Sequence, residues 1–109
     1  MIAFQTVVIN GKQVGEIANG VYISHRKYSK HFFKKYSGYA ISEAILKYLE
    51  AINCNIICII DDELHKTFFA TPNDFKEHGK VIPYSMGKTD NQVCLGINYF
   101  KMKRWNREG

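Results

Sequence analysis

Two Asn-Gly dipeptides, Asn10-Gly11 and Asn19-Gly20, interrupt segments of alternating apolar and polar residues near the start of the chain. Asn-Gly supplies the two positive φ angles of a type I′ turn, whose twist matches that of two antiparallel strands. Phe4 to Ile9, rich in β-branched residues, runs into the first turn. Lys12 to Ala18 lies between the turns, with Val14 on one face and Gln13 and Gly15 on the other. Val21 to Ile23 follows the second turn, so the pattern predicts a three-stranded meander; a lone hairpin would be only marginally stable.

Downstream, Gly38 breaks the chain and Ser42 is placed to cap a helix, with Glu43 at the positive end of its dipole. Ile41, Ile45, Leu49 and Ile52 recur at helical spacing, which predicts an amphipathic helix over Ser42 to Ile52. Ile56 to Ile60 is short, bounded and apolar on both faces, the signature of a buried strand. Asp61-Asp62-Glu63 reads as a charged turn and Lys66 to Ala70 as a returning strand. Thr71-Pro72 is a cap followed by proline at the first helical position, and Gly79 stops that short helix. Val81 to Tyr84 reads as a strand, Ser85 to Asn91 as a polar loop and Gln92 to Lys101 as a final strand. The expectation is an α+β fold: a single small domain over residues 1–109, with a mostly antiparallel sheet packed on one main helix. With 46% hydrophobic and 23% charged residues, 109 residues suffice for one core without disulfides or a structural metal.

Several classes are disfavoured. The longest apolar run, Ile56 to Ile60, is far shorter than the roughly 20 residues of a membrane-spanning helix. Met1 to Gly11 alternates and turns instead of forming an export signal, so a cytoplasmic, membrane-free protein is expected. Cys54, Cys58 and Cys94 are odd in number and lack Cys-x-x-Cys spacing, which favours free thiols. Nucleotide-hydrolysis and serine-esterase motifs are absent, and no cofactor is expected. His25, His31, His65 and His78 fit no metal-ligand spacing.

Charge is segregated. Residues 22–39 hold five cations and no acid, whereas residues 42–79 hold seven acids against three lysines, within a net charge of +5. Tyr28, Phe32, Phe33, Tyr36 and Tyr39 are interleaved with Arg26, Lys27, Lys30, His31, Lys34 and Lys35. Such cations can neutralise phosphates, and exposed rings can stack on unpaired bases. Phe32, Phe33 and Tyr39 have an alternative reading as core, with the lysines solvating one face of a helix. Lys101, Lys103, Arg104 and Arg107, with Trp105, extend the same chemistry at the C-terminal end if the two runs meet.

The stretch His31-Phe32-Phe33-Lys34-Lys35, followed by Gly38-Tyr39-Ala40-Ile41, resembles uncharacterised small basic proteins of bacterial and archaeal phages and plasmids. The likeness spans residues 22–100, with Phe75 to Gly79 and Gln92 to Leu95 falling in the later elements, and leaves the N-terminal double hairpin outside. It implies a mobile-element setting, in which such proteins bind nucleic acid or block a host defence complex. It transfers no catalytic residue.

The leading expectation is a non-enzymatic nucleic-acid-binding protein. Its contacts would be Arg26, Lys27, Tyr28, Lys30, His31, Lys34, Lys35, Tyr36, Lys101, Lys103 and Arg104, with Tyr28 and Tyr36 stacking on bases. The alternatives are a protein-interaction module, which would present the basic patch to an acidic protein or nucleoprotein surface such as a CRISPR-type complex or form a homodimer through edge strands, and a metal-dependent nuclease. In the nuclease reading, Asp61, Asp62 or Glu63 would hold Mg²⁺ and Lys66 would stabilise charge, although the Glu-x-Lys spacing of restriction-nuclease cores is missing.

Overall fold

A computed structural model describes residues 4–26, 34–82 and 91–102. The predicted meander forms as β1 (Gln5–Ile9), β2 (Lys12–Ala18) and β3 (Val21–Arg26), joined through Asn10-Gly11 and Asn19-Gly20, all four residues at positive φ. β3 continues to Arg26, past the expected end at Ile23. β4 (Gly38–Ser42) leads directly into α1 (Glu43–Ala51), where the Ser42 hydroxyl accepts the Ile45 N–H at 3.2 Å. β5 (Ile56–Asp61) and β6 (Lys66–Ala70) form the later hairpin. α2 (Pro72–His78) carries the anticipated Thr71 cap, and a reciprocal bond from the Thr71 N–H to Asp74 completes a capping box. β7 (Lys80–Ile82), β8 (Gln92–Gly96) and α3 (Ile97–Met102) follow, and residues 34–36, ahead of β4, are also helical.

Two sheets result: one of five strands in the order β1-β2-β3-β5-β6, and one of three in the order β4-β8-β7. Every described pairing is antiparallel except β3 with β5. A parallel pair needs a crossover, and β4 with α1 lies between those two strands in the chain. One core lies between the sheets. Val7, Tyr22, Ile57, Ile59, Phe68 and Ala70 come from the larger sheet, and Tyr39, Ile41, Val93 and Leu95 from the smaller. Ile45, Leu46 and Leu49 of α1, Phe75 of α2 and Phe100 of α3 fill the remainder, and the Phe100 ring meets Tyr39 edge-on at 5.9 Å.

Three expectations need correction. Gly38 to Ile41 is a strand, and the fully buried Ile41 belongs to β4, so its helix-like spacing to Ile45 comes from the strand running straight into the helix. Gln92 to Lys101 is not one strand: it stops at Gly96, because Ile97 and Phe100 stand one helical turn apart and Phe100 is drawn into the core. Asp61 is not part of a solvated turn; it ends β5 with no exposed surface, and the turn runs from Asp62 to His65. The strand expected at Val81 to Tyr84 is Lys80–Ile82 among the described residues, while residues 83–90, including most of the expected polar loop, lie outside them. Among the described residues no helix is long and apolar enough to cross a membrane.

All three cysteines are free and buried. Cys54 precedes β5, which carries Cys58, and its thiol donates to the Gly20 carbonyl at 3.3 Å. Burial pushes the Cys94 thiol up from 9.0 to about 11, against a smaller opposing pull from Lys80. The Tyr99 phenol is pushed up to about 12, first by its hydrogen bond to Asp74, which accepts it at 2.7 Å, and then by burial. A raised pKa means that the folded chain binds more protons than the unfolded chain at alkaline pH. The stability these groups contribute is therefore complete below their ordinary values and is lost as pH rises toward 11 and 12. The melting temperature is expected to fall progressively above about pH 9, and Cys94→Ala is expected to flatten that fall through pH 11. An unchanged slope in the Cys94→Ala protein, followed by circular dichroism, would contradict the assignment.

Candidate nucleic-acid interface

The two described flanks of the basic segment, Arg26 and residues 34–37, are held at one end of the fold by a chain of specific bonds. Arg26 ends β3 opposite Asp61 of β5, and its carbonyl accepts the Asp62 N–H at 2.8 Å. Asp61 Oδ2 accepts the Tyr39 hydroxyl at 2.7 Å, which ties the five-stranded sheet to β4 of the smaller one. Asp61 Oδ1 accepts the N–H groups of Glu63 at 3.0 Å and Leu64 at 2.9 Å, closing the turn that follows. Tyr39 faces Leu95 and Gly38 faces Gly96 across the β4–β8 ladder. Beyond that pair the Ile97 N–H donates to the Ser37 carbonyl at 2.7 Å. The basic segment's far flank therefore meets the start of α3, the helix that carries Lys101.

The side chains differ in how far they face solvent. Lys34 and Lys35 lie in a helical stretch, residues 34–36, and are exposed, as is Lys101. The Lys35 ammonium sits 5.3 Å from the centre of the Tyr36 ring, a cation–π contact. Tyr36 is half-buried and packs against the small cluster of Ala40, Ile82 and Cys94, so part of the ring intended for stacking is committed to the fold. Arg26 is also half-buried; its Nε donates to the buried Ser24 hydroxyl at 2.9 Å, and burial pulls the guanidinium pKa down from its usual value. Tyr22, Ser24 and Arg26 share the inner face of β3 by strand alternation. The Tyr22 phenol is held up by burial, against the opposing charge of Arg26, and donates to the Val14 carbonyl at 2.9 Å. Lys27, Tyr28, Lys30, His31, Lys103 and Arg104 lie outside the described residues, as do Phe32, Phe33, Trp105 and Arg107.

The acidic turn stands beside Arg26, where Asp62 receives His25 Nδ1 at 3.3 Å. Both oxygens of Asp61 serve the fold itself. Among the described residues no three His, Cys, Asp or Glu side chains gather at metal-ligand distance. Sequence reasoning missed the Asp61–Tyr39 bond, because neither residue's partner is within its own element. It also missed the stacking of His78 on Tyr99, with ring centres 4.6 Å apart. No family model matches the chain, and comparisons with curated proteins and with solved structures give no significant match.

Proposed function

We propose that this chain is a small basic nucleic-acid-binding protein without chemistry of its own, in which the basic segment and the C-terminal cations act as one phosphate-binding surface. The observation that carries the reading is the Ile97–Ser37 backbone bond: it joins the end of one cationic run to the helix leading into the other. Exposed Lys34, Lys35 and Lys101 are the described part of that surface. The acids of residues 42–79 are concentrated in other elements, apart from the turn beside Arg26. Ammonium groups on flexible stems contact phosphate as point charges, so affinity should depend strongly on salt and little on base sequence.

Fluorescence anisotropy with labelled single-stranded and duplex DNA and RNA tests the proposal. If about four phosphates are neutralised, a fourfold rise in salt lowers affinity by roughly 100-fold. Lys30→Glu with Lys34→Glu is expected to weaken binding on every sequence and to reduce the salt slope by about one for each phosphate no longer neutralised. Affinity that survives both salt and charge reversal would overturn the proposal. Absence of binding at low salt would do the same and would redirect the surface to an acidic protein partner. Cleavage of the bound probe in Mg²⁺ would refute the non-enzymatic part.

A further inference from the structure

The guanidinium of Arg26 is held from inside the fold by a directed chain of polar groups. Its Nε donates to the Ser24 hydroxyl at 2.9 Å, Ser24 lies within hydrogen-bonding reach of the Tyr22 phenol, and that phenol donates to the Val14 carbonyl at 2.9 Å. Tyr22 and Ser24 are buried, so the base of the guanidinium is fixed by groups that water does not reach. Nη1 and Nη2, by contrast, have no acceptor among the described residues. Among those residues no buried side-chain nitrogen lacks a partner, so the two unbonded nitrogens must reach solvent. The group is anchored at its base and open at its fork.

A cation drawn into a fold is ordinarily met there by a carboxylate. Arg26 has none at ion-pair distance among the described residues, and of the ten acids in the chain only Asp90 and Glu108 lie outside them. Its neighbour across the β3–β5 ladder is Asp61, whose two oxygens are taken by the Tyr39 hydroxyl and the Glu63 and Leu64 N–H groups. Asp62 faces His25. Burial lowers the guanidinium pKa, and the group that opposes the shift is the Tyr22 phenol, not a carboxylate. The missing complement is therefore an anion from outside the chain. A planar fork of N–H donors matches two oxygens of a phosphate, and exposed Lys34 and Lys35 on the other flank of the basic segment suit a ligand with several such groups. We propose that Arg26 is a pre-organised phosphate site, in which Nη1 and Nη2 donate to two oxygens of one phosphate group while Ser24 acts as the positioning residue. That this phosphate belongs to a nucleic-acid backbone rests on the function proposed above; the anion chemistry of the site does not.

Two measurements on the full chain test the site. In the first, inorganic phosphate is titrated while the Arg26 Nε–H is followed by heteronuclear NMR, its signal assigned by its absence from Arg26→Lys. The signal of the unmodified chain is expected to shift and saturate with phosphate and not with chloride at matched ionic strength. Ser24→Ala keeps the arginine but releases its Nε, and should raise the half-saturating phosphate concentration several-fold. The second measurement is fluorescence anisotropy with labelled duplex DNA. Arg26→Lys retains the charge and loses the fork, so affinity should fall about tenfold with the salt slope unchanged, whereas Lys34→Glu lowers affinity and slope together. No response to phosphate, or an equal response to acetate, would overturn the site. A phosphate response in a chain that binds no DNA would uphold the site, assign it to free phosphate and refute the nucleic-acid reading instead. DNA affinity left unchanged by Arg26→Lys would overturn the placing of a backbone phosphate at Arg26.

Discussion

Replacing Asp61 with alanine is expected to cost about 4 kcal/mol and to lower the melting temperature by on the order of 20 °C. The residue is fully buried, and its carboxylate accepts three hydrogen bonds, from the Tyr39 hydroxyl and the Glu63 and Leu64 N–H groups. Bonds to an ionised acceptor each contribute more than neutral ones, and a buried donor stripped of its acceptor bears its own desolvation cost. The Tyr39 side chain is itself buried, so water cannot readily replace the missing partner. Asp61→Asn separates charge from geometry. Its side-chain oxygen can still receive both N–H groups, and its amide can donate to a Tyr39 hydroxyl that has turned to accept, so its loss should be less than half as large. Urea denaturation of the two variants, compared at equal slope, decides the point. A loss below about 1 kcal/mol for Asp61→Ala would show that the bond between the sheets is dispensable.

That bond also marks where the sequence stops being legible. The meander, the capped α2 and the buried β5 can be read because their signals are local. Asn-Gly fixes two φ angles, Thr71 and Asp74 stand three residues apart, and Ile56 to Ile60 is apolar throughout. Asp61 reads as the first residue of a solvated acidic turn because two further acids, Asp62 and Glu63, follow it; the Tyr39 hydroxyl that meets its buried carboxylate comes from a residue 22 positions earlier. The same limit hides β4, whose partner β8 lies across a long stretch of chain, so that Ile41 is absorbed into the helical period of α1. The candidate site is legible as chemistry and not as geometry. The two cationic runs are plain in the sequence, whereas the Ser37–Ile97 bond that joins them depends on a ladder with no local signal.

Gly38→Ala tests that ladder directly. A Cβ at Gly38 would collide with the backbone carbonyl of Leu95, and with Cys94 Sγ at 3.0 Å. The carbonyl belongs to the facing strand and cannot swing aside as a flexible side chain would, so β4 must move away from β8. Overpacking of this kind costs about 3 kcal/mol when backbone has to shift. The cross-strand partner provides an internal control. Gly96 faces Gly38 in the same register, yet a Cβ there meets only the Ser37 carbonyl, at 4.0 Å. Its φ is outside the left-handed region, so Gly96→Ala should be neutral or stabilise by about 0.5 kcal/mol through the unfolded chain. The two variants therefore add the same methyl group to the two members of one cross-strand pair, with opposite results. Moving β4 also strains the Ser37–Ile97 bond, so Gly38→Ala should weaken nucleic-acid binding at temperatures where the chain is still folded, while Gly96→Ala binds normally. Equal melting temperatures for the two proteins would show that β4 and β8 are not packed as closely as their register requires; a destabilised Gly38→Ala chain with undiminished affinity would show that the two cationic runs bind without being held together.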